Sequence, residues 1–193
     1  MEVSVEKRYS DRWSGRVAYT LARSNDVSGR PSNDLNPRED YARSDTDNRH
    51  AFVTNVSVNP WRGLSTGVIF RYYSGYPINE TIGSDVNRDR DNNDRPVAGV
   101  HDLTRPILSP LDHNGRAIRN GIDGNNTKLL DLSLQYIANL PRGQTAGFFW
   151  EIYNVLNTVN LANPTGNRNR SNFMVPVVSG RARQMQLGVR YTF

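Results

Sequence analysis

The chain has 193 residues and no cysteine, which excludes a disulfide framework, a zinc–thiolate centre and a thiol nucleophile. It contains no run of about 18 apolar residues and no apolar segment near its N-terminus, so we expect neither a transmembrane helix nor a signal peptide. The formal net charge is +5, but only Lys7 and Lys128 are lysines and the arginines are scattered, so we expect no nucleic-acid partner.

Apolar residues alternate with polar ones in about seven segments of the chain. In chain order, the residues on the more apolar face are Val3 and Val5; Trp13, Val17, Tyr19 and Leu21; Phe52, Val56 and Val58; Thr66, Val68, Phe70 and Tyr72; Leu130, Leu132, Leu134 and Tyr136; Phe148, Trp150 and Ile152; and Met185, Leu187, Val189, Tyr191 and Phe193. No segment has a convincing helical period, so the pattern predicts an all-β fold.

The connections between these segments alternate between short and long. Short joins are expected at residues 9–12, 59–63 and 140–144, and long ones at about residues 25–47, 77–127 and 157–180. Outer-membrane barrels place short turns in the periplasm and long loops outside the cell, whereas a soluble fold has no reason to sort its loops by length. The pattern therefore predicts an antiparallel up-and-down transmembrane β-barrel segment of about seven strands in the cell outer membrane.

A low mean hydropathy of −0.67 is compatible with this interpretation. A transmembrane β-strand needs only about 9–11 residues, of which alternate ones face lipid. A charge that faces lipid at the midplane costs roughly 2–4 kcal/mol, so the charged strand residues are expected to face the lumen. These residues are Arg16, Arg71, Asp131, Glu151 and Arg190. Aromatic girdles at the two interfaces are expected from Trp13, Tyr19, Tyr72, Trp150 and Tyr191.

The acidic segment 85–96 has oxygen-bearing side chains at every second residue, which is compatible with a calcium site. The candidate metal ligands are Asp85, Asn87, Asp89, Asp91 and Asn93. The segment does not fit an EF-hand, because Arg90 takes the glycine position and Pro96 the glutamate position. The alternative interpretation is a solvated loop of Asx turns whose charge is neutralised by neighbouring arginines.

No motif for nucleophilic, metal-dependent or nucleotide-dependent catalysis occurs in the sequence. His101 and His113 each lie beside an aspartate, but adjacency along the chain does not form a catalytic pair. We therefore expect no enzymatic activity and no cofactor other than the calcium ion considered above.

Four segments are similar to one family of proteins. Residues 44–79 contain an Asn-Pro-Trp-Arg-Gly turn and a strand that ends in Tyr-Ser-Gly-Tyr-Pro, and residues 85–96 form an acidic loop. Residues 151–160 contain an aromatic residue followed by Asn-x-x-Asn, and residues 181–193 form a terminal strand that ends in an aromatic residue. Their order and spacing resemble TonB-dependent outer-membrane receptors, and within these the Oar-like group that carries a carboxypeptidase-regulatory-like domain.

The resemblance implies energy-coupled uptake of a scarce ligand such as a siderophore, a glycan or a peptide. The family's barrel has 22 strands around a plug, so residues 1–193 are expected to be the C-terminal portion of such a barrel, without plug or signal peptide. The resemblance implies that TonB contacts the receptor only through the plug. It further implies that the assembly machinery of the outer membrane reads the terminal strand, here Leu187, Val189, Tyr191 and Phe193.

The alternative from another class is a soluble β-sandwich binding module, calcium-dependent and carbohydrate-directed. A sandwich would bury Leu132, Leu134, Leu187 and Val189 against a second sheet, whereas a barrel would expose them to lipid. The accessibility of these four side chains therefore discriminates between the two folds.

Overall fold

The computed structural model describes residues 1–33 and 35–193 and contains one large and one small antiparallel sheet. The large sheet consists of β1 (Glu2–Ser10), β2 (Trp13–Leu21), β5 (His50–Val58), β6 (Leu64–Tyr73), β7 (Thr127–Asn139), β8 (Thr145–Tyr153) and β9 (Gln184–Thr192). The small sheet pairs β3 (Asn25–Asp26) with β4 (Ala42–Arg43). Two short 3-10 helices span Pro37–Asp40 and Pro141–Gly143.

Each strand of the large sheet pairs with the next long strand along the chain, in the order β1-β2-β5-β6-β7-β8-β9. All six pairings are antiparallel. This is the up-and-down arrangement that the sequence predicts, and the seven expected strands are all present. β1 and β9 are the outer members of the order, so each has one strand neighbour among the described residues.

The short and long connections lie at opposite ends of the sheet, as predicted. The first hairpin turns at Asp11 and Arg12, whose φ angles of 50° and 68° are those of a two-residue primed turn. The second turn, residues 59–63, ends at Gly63 with φ 87°, where a Cβ would lie 2.5 Å from the carbonyl oxygen of Ile137. Only glycine therefore allows this turn to approach β7 so closely.

The register of the ladders separates the residues of the large sheet into two faces. Opposite residues share a face, and rows such as Trp13, Val58, Thr66, Leu134, Trp150 and Leu187 are apolar apart from one threonine. On this outer face Leu187 is 79% exposed and Val189 is 74% exposed. Leu132 and Leu134 are half-buried by their strand neighbours. No second sheet covers this face in the part of the chain that the structure describes, which argues against the sandwich.

The buried interior lies in the long connections and is mostly polar. Among the described residues, the buried apolar side chains are Ile78, Ala117 and Ile152, together with Pro77 and Pro96. The buried polar side chains are Ser32, Asp40, Ser44, Asp47, Glu80, Asp94, Arg95, Ser109, Arg119, Asn120 and Asn154. Apolar side chains thus face outward from the sheet, while polar side chains fill the loop region, the reverse of a water-soluble domain.

Candidate functional site

The inner face of the large sheet forms a polar wall. The register places the five predicted lumen residues on this face, opposite to the apolar one: Arg16, Arg71, Asp131, Glu151 and Arg190. Two of them pair across neighbouring strands, with Arg71 Nη2 3.2 Å from Asp131 Oδ2. A third, Glu151, accepts a hydrogen bond of 2.6 Å from the Tyr153 hydroxyl. Three of the five charged groups of the wall therefore have polar side-chain partners on the face that water can reach.

The third long connection, residues 154–183, is fastened to this wall by Asn154. Its backbone N–H donates to Asp131 Oδ1 at 2.9 Å, and its side-chain amide donates to the carbonyl oxygens of Thr158 and Arg181. Asn157, the second asparagine of the Asn-x-x-Asn motif, accepts from the Arg183 N–H at 3.0 Å. Both asparagines have positive φ, 53° and 51°, which asparagine tolerates better than most residues. The motif therefore joins the end of β8 to the start of β9.

A cavity of about 750 Å³ lies between this connection and the polar wall. Its wall side includes Arg71, Asp131 and Gln186, and its loop side includes Leu161 and Val178. The cavity thus offers ion-pairing groups, amides and aliphatic surface to a bound molecule. Its size lies within the range of about 300–1,000 Å³ that small-molecule sites occupy.

The three long connections form one body above the cavity, which we call the loop cap (residues 22–33, 35–49, 74–126 and 154–183). A buried ion pair joins the first connection to the second. Arg95 Nη2 lies 2.6 Å from Asp40 Oδ1, and both side chains are 3% exposed. Arg95 also donates to the carbonyl oxygen of Ala117 at 2.7 Å. Burial lowers the pKa of Arg95, an effect that the charge of Asp40 opposes.

A second buried ion pair, between Glu80 and Arg168, joins the second connection to the third. Glu80 is 0% exposed, and its other oxygen accepts from the N–H groups of Leu108 and Ser109 at 2.9 and 2.7 Å. Arg168 donates in addition to the carbonyl oxygens of His101 and Pro106. Arg168 therefore holds the cap together, a role that its position in a polar, turn-rich segment does not indicate.

The five predicted metal ligands lie in one loop, but their side chains bind mainly the loop itself. Asp85 accepts from the N–H groups of Asp89 and Arg90 at 3.1 and 2.9 Å, and Asp89 accepts from Asp91 at 2.8 Å. These are the contacts of the Asx-turn interpretation. Asn87 and Asn93 donate to carbonyl oxygens of the first connection, at Ser32 and Arg30.

No group of three or more histidine or acidic side chains is arranged to hold a metal ion within residues 1–33 and 35–193. The calcium hypothesis for Asp85, Asn87, Asp89, Asp91 and Asn93 therefore gains no support from this geometry and stays a prediction. The predicted residues of this loop do not include Asp94, which is buried and accepts a hydrogen bond from the Val86 N–H at 2.6 Å. Its position in an alternating acidic segment gave no sign that it differs from its neighbours.

The predicted assembly residues of the terminal strand lie on the outer face. Leu187, Val189 and Tyr191 alternate along β9 with the inward Gln186, and Phe193 directly follows the strand. Phe193 is 96% exposed. The strand therefore presents an apolar edge row that another protein or lipid can contact.

The predicted aromatic girdles are partly reproduced by the register. Tyr19 and Tyr72 lie in one row near the loop cap, and Trp13 and Tyr191 lie beside the short turns. Trp150, in contrast, lies in the middle of β8 rather than near either end of that strand. Four of the five aromatics thus flank the apolar band.

Comparison with models of known protein families identifies the family of this chain. A family model described as an outer membrane beta barrel domain matches residues 1–186. A search of curated proteins finds no significant match. None of the helices in the described residues has the length and apolar character required to cross a membrane.

Proposed function

The chain belongs to the outer membrane beta barrel domain family and lies in the cell outer membrane, and from this premise we propose that it is part of a TonB-dependent receptor. In this proposal residues 1–193 supply the C-terminal wall of the barrel and three extracellular loops. The receptor takes up a scarce ligand of the siderophore, glycan or peptide class. The order and spacing of the four segments that resemble the Oar-like group support this narrower assignment.

The cavity of about 750 Å³ between the loop cap and the polar wall is the observation that carries the proposal. A ligand that has passed the cap meets the Arg71–Asp131 pair, the side-chain amides of β9 and the aliphatic side chain of Leu129 on the inner face. The arrangement suits a polar ligand that moves along the lumen. It does not suit passage through the outer face, which is apolar.

The sheet itself supports the assignment to a larger barrel. β1 and β9 each have one partner strand among the described residues, and unpaired backbone groups in lipid cost several kcal/mol each. Further strands of the same receptor would satisfy these edges. The contact with TonB then belongs to the plug of that receptor, and the assembly machinery contacts β9.

We propose no catalytic role for this chain and no resident cofactor. The carboxylates of Asp85 and Asp89 are engaged by backbone N–H groups, and Glu80 is engaged by Arg168. These contacts give Asp85, Asp89 and Glu80 structural roles.

Uptake by cells tests the proposal. The gene that encodes the chain is deleted in its own host, and accumulation of labelled ferric siderophores, oligosaccharides and peptides is compared with the parent strain and with a strain that lacks TonB. We expect both mutants to lose the uptake of one of these ligand classes. Loss in the gene deletion alone, with normal uptake in the TonB mutant, would show a passive pore and overturn the receptor assignment.

A further inference from the structure

The two lysines of the chain both lie on the outer face, near opposite ends of its apolar band. Lys7 is opposite Gly15 in the β1–β2 ladder and shares its face with Val5. Lys128 is the second residue of β7 and is opposite Tyr72, in the row that continues to Phe52 and Tyr19. Lys7 therefore lies on the side of the short turns, and Lys128 lies directly below the loop cap.

The two ammonium groups differ in their partners. Lys7 Nζ donates to the Ser10 carbonyl oxygen at 2.9 Å, to the Ser10 hydroxyl at 2.6 Å and to the Trp13 carbonyl oxygen at 3.2 Å. These contacts occupy its three donors. Lys128 Nζ lies 6.0 Å from the centroid of the Tyr72 ring and has no hydrogen-bond acceptor or ion-pair partner among the described residues. Lys7 is thus satisfied within its hairpin, whereas Lys128 has donors to offer.

The surroundings of Lys128 restrict what can accept these donors. Its neighbours on the same face are the aromatic ring of Tyr72 and the aliphatic side chain of Leu130, and the face continues as the apolar band toward the short turns. An acceptor must therefore combine an anionic group at the level of Lys128 with an apolar part below it. Long loops of outer-membrane barrels are extracellular, so this level is the headgroup region of the outer leaflet.

We propose that Lys128 and Tyr72 bind a phosphate of a lipid headgroup in the outer leaflet. The Lys128 ammonium and the Tyr72 hydroxyl donate to phosphate oxygens, and the acyl chains of the same lipid lie along Phe70 and Leu130. The site rests on the position of the chain in the outer membrane and is independent of the proposed uptake. The proposal predicts that lipids with a phosphate headgroup bind preferentially to this side of the barrel wall.

Lipid retention by the intact protein tests the site. The protein is purified in detergent, incubated with lipid A that bears its phosphates or with the same lipid after dephosphorylation, and the bound lipid is counted by native mass spectrometry. We expect wild type to retain the phosphorylated lipid several-fold better. Lys128→Gln should remove this preference, and Lys128→Arg should keep most of it.

Lys7→Gln is the matched control, because it removes the other outward lysine, whose donors are already used. It should keep the wild-type preference. If Lys7→Gln does not assemble, Arg142→Gln in the turn between β7 and β8 takes its place. The proposal is wrong if Lys128→Gln keeps the full preference or if wild type shows none. It is also wrong if inorganic phosphate displaces the lipid at equal concentration, since the site would then bind the free anion.

Discussion

Arg71 on β6 and Asp131 on β7 form an ion pair of 3.2 Å on the inner face of the sheet, between rows of apolar side chains that face the opposite way. Phe70 and Tyr72 flank Arg71 in the chain, and Leu130 and Leu132 flank Asp131. Because side chains alternate strictly between the two faces, one strand can carry a charge on its inner face and still present apolar side chains to lipid on its outer face. Because of this geometry, the effect of a substitution on the free energy of unfolding depends more on the face of the sheet that the residue occupies than on the type of residue introduced.

A pair of neighbouring substitutions tests this dependence. Phe70→Arg places a charge in lipid and should lower the free energy of unfolding by roughly 2–4 kcal/mol. Ile69→Arg introduces the same side chain on the inner face, 37% exposed in the structure, and should cost less than about 1 kcal/mol. Urea titration of the intact protein refolded into vesicles measures both values. Equal losses in the two variants would contradict the assignment of the faces.

The Glu80–Arg168 pair should control the integrity of the loop cap. Glu80→Gln leaves the Arg168 guanidinium buried without its carboxylate, and removal of one partner from a buried pair typically costs about 3–5 kcal/mol. We expect rapid protease cleavage within residues 97–108 and 163–172 in intact cells. Arg116→Gln breaks the more exposed pair with Glu39 and should leave cleavage close to that of wild type. If the loop cap of Glu80→Gln stays resistant to the protease, the result would show that the loops fold independently of each other.

The acidic loop 85–96 should keep its shape without calcium. Asp85→Ala removes the acceptor for the N–H groups of Asp89 and Arg90 and should increase trypsin cleavage after Arg88 and Arg90. The increase should be the same in calcium and in chelator, and Asn92→Ala, at an exposed neighbour, should have little effect. Protection of the wild-type loop by calcium, lost on chelation, would instead support the metal site.

The contact between Asp26 and Arg119 should persist at neutral pH and be lost in acid. Hydrogen bonds from Ser44 and Arg119 lower the pKa of the Asp26 carboxyl below its ordinary value. Its stabilising contribution is therefore complete above the unfolded pKa of about 3.9 and is lost as the pH falls through the lower folded value. Hydrogen exchange in β3 and β4 should be slower in wild type than in Asp26→Asn at pH 6, and the difference should narrow steadily as the pH falls below about 3.9. A difference that stays constant from pH 6 to the lowest pH at which the sheet remains folded would rule out this titration.

The terminal aromatic should matter for assembly in cells more than for the stability of the barrel. Phe193→Ala removes an exposed side chain from the row that the assembly machinery is proposed to read. We expect a several-fold lower amount of assembled protein in the outer membrane, with unaided refolding into vesicles unchanged. Thr192→Ala, on the inner face of β9, is the control. Reduced refolding of Phe193→Ala in vesicles would indicate a packing role instead.

The strands were predictable because their signal is local. Residues 13–21, 50–58 and 184–192 alternate with a period of two, and this period specifies both the strand and the face of each side chain. The predicted turns at 59–63 and 140–144 have the bounds that the structure shows, and the first turn differs only because β1 continues to Ser10. The lumen positions of Arg71 and Asp131 followed from the same alternation.

The loop cap was not predictable from local pattern. Arg95 is 55 residues from Asp40, and Arg168 is 88 residues from Glu80, so no spacing in the sequence links the partners. Each arginine stands in a polar segment that reads as a solvated loop. β3 and β4 were missed for a related reason, since two residues are too few for a period to be seen.

The sequence by itself determined the all-β architecture, the two faces of the strands and the end of the sheet at which the long loops lie. These properties depend on the steric period of an extended chain and on the cost of a charge in lipid. Only the tertiary structure decided which polar residues are buried in the loop cap, because a charge is buried where a distant partner and backbone groups compensate its loss of water. It also decided that the ammonium group of Lys7 has hydrogen-bond acceptors whereas that of Lys128 has none within residues 1–33 and 35–193, because only the fold of the first hairpin brings carbonyl oxygens to Lys7.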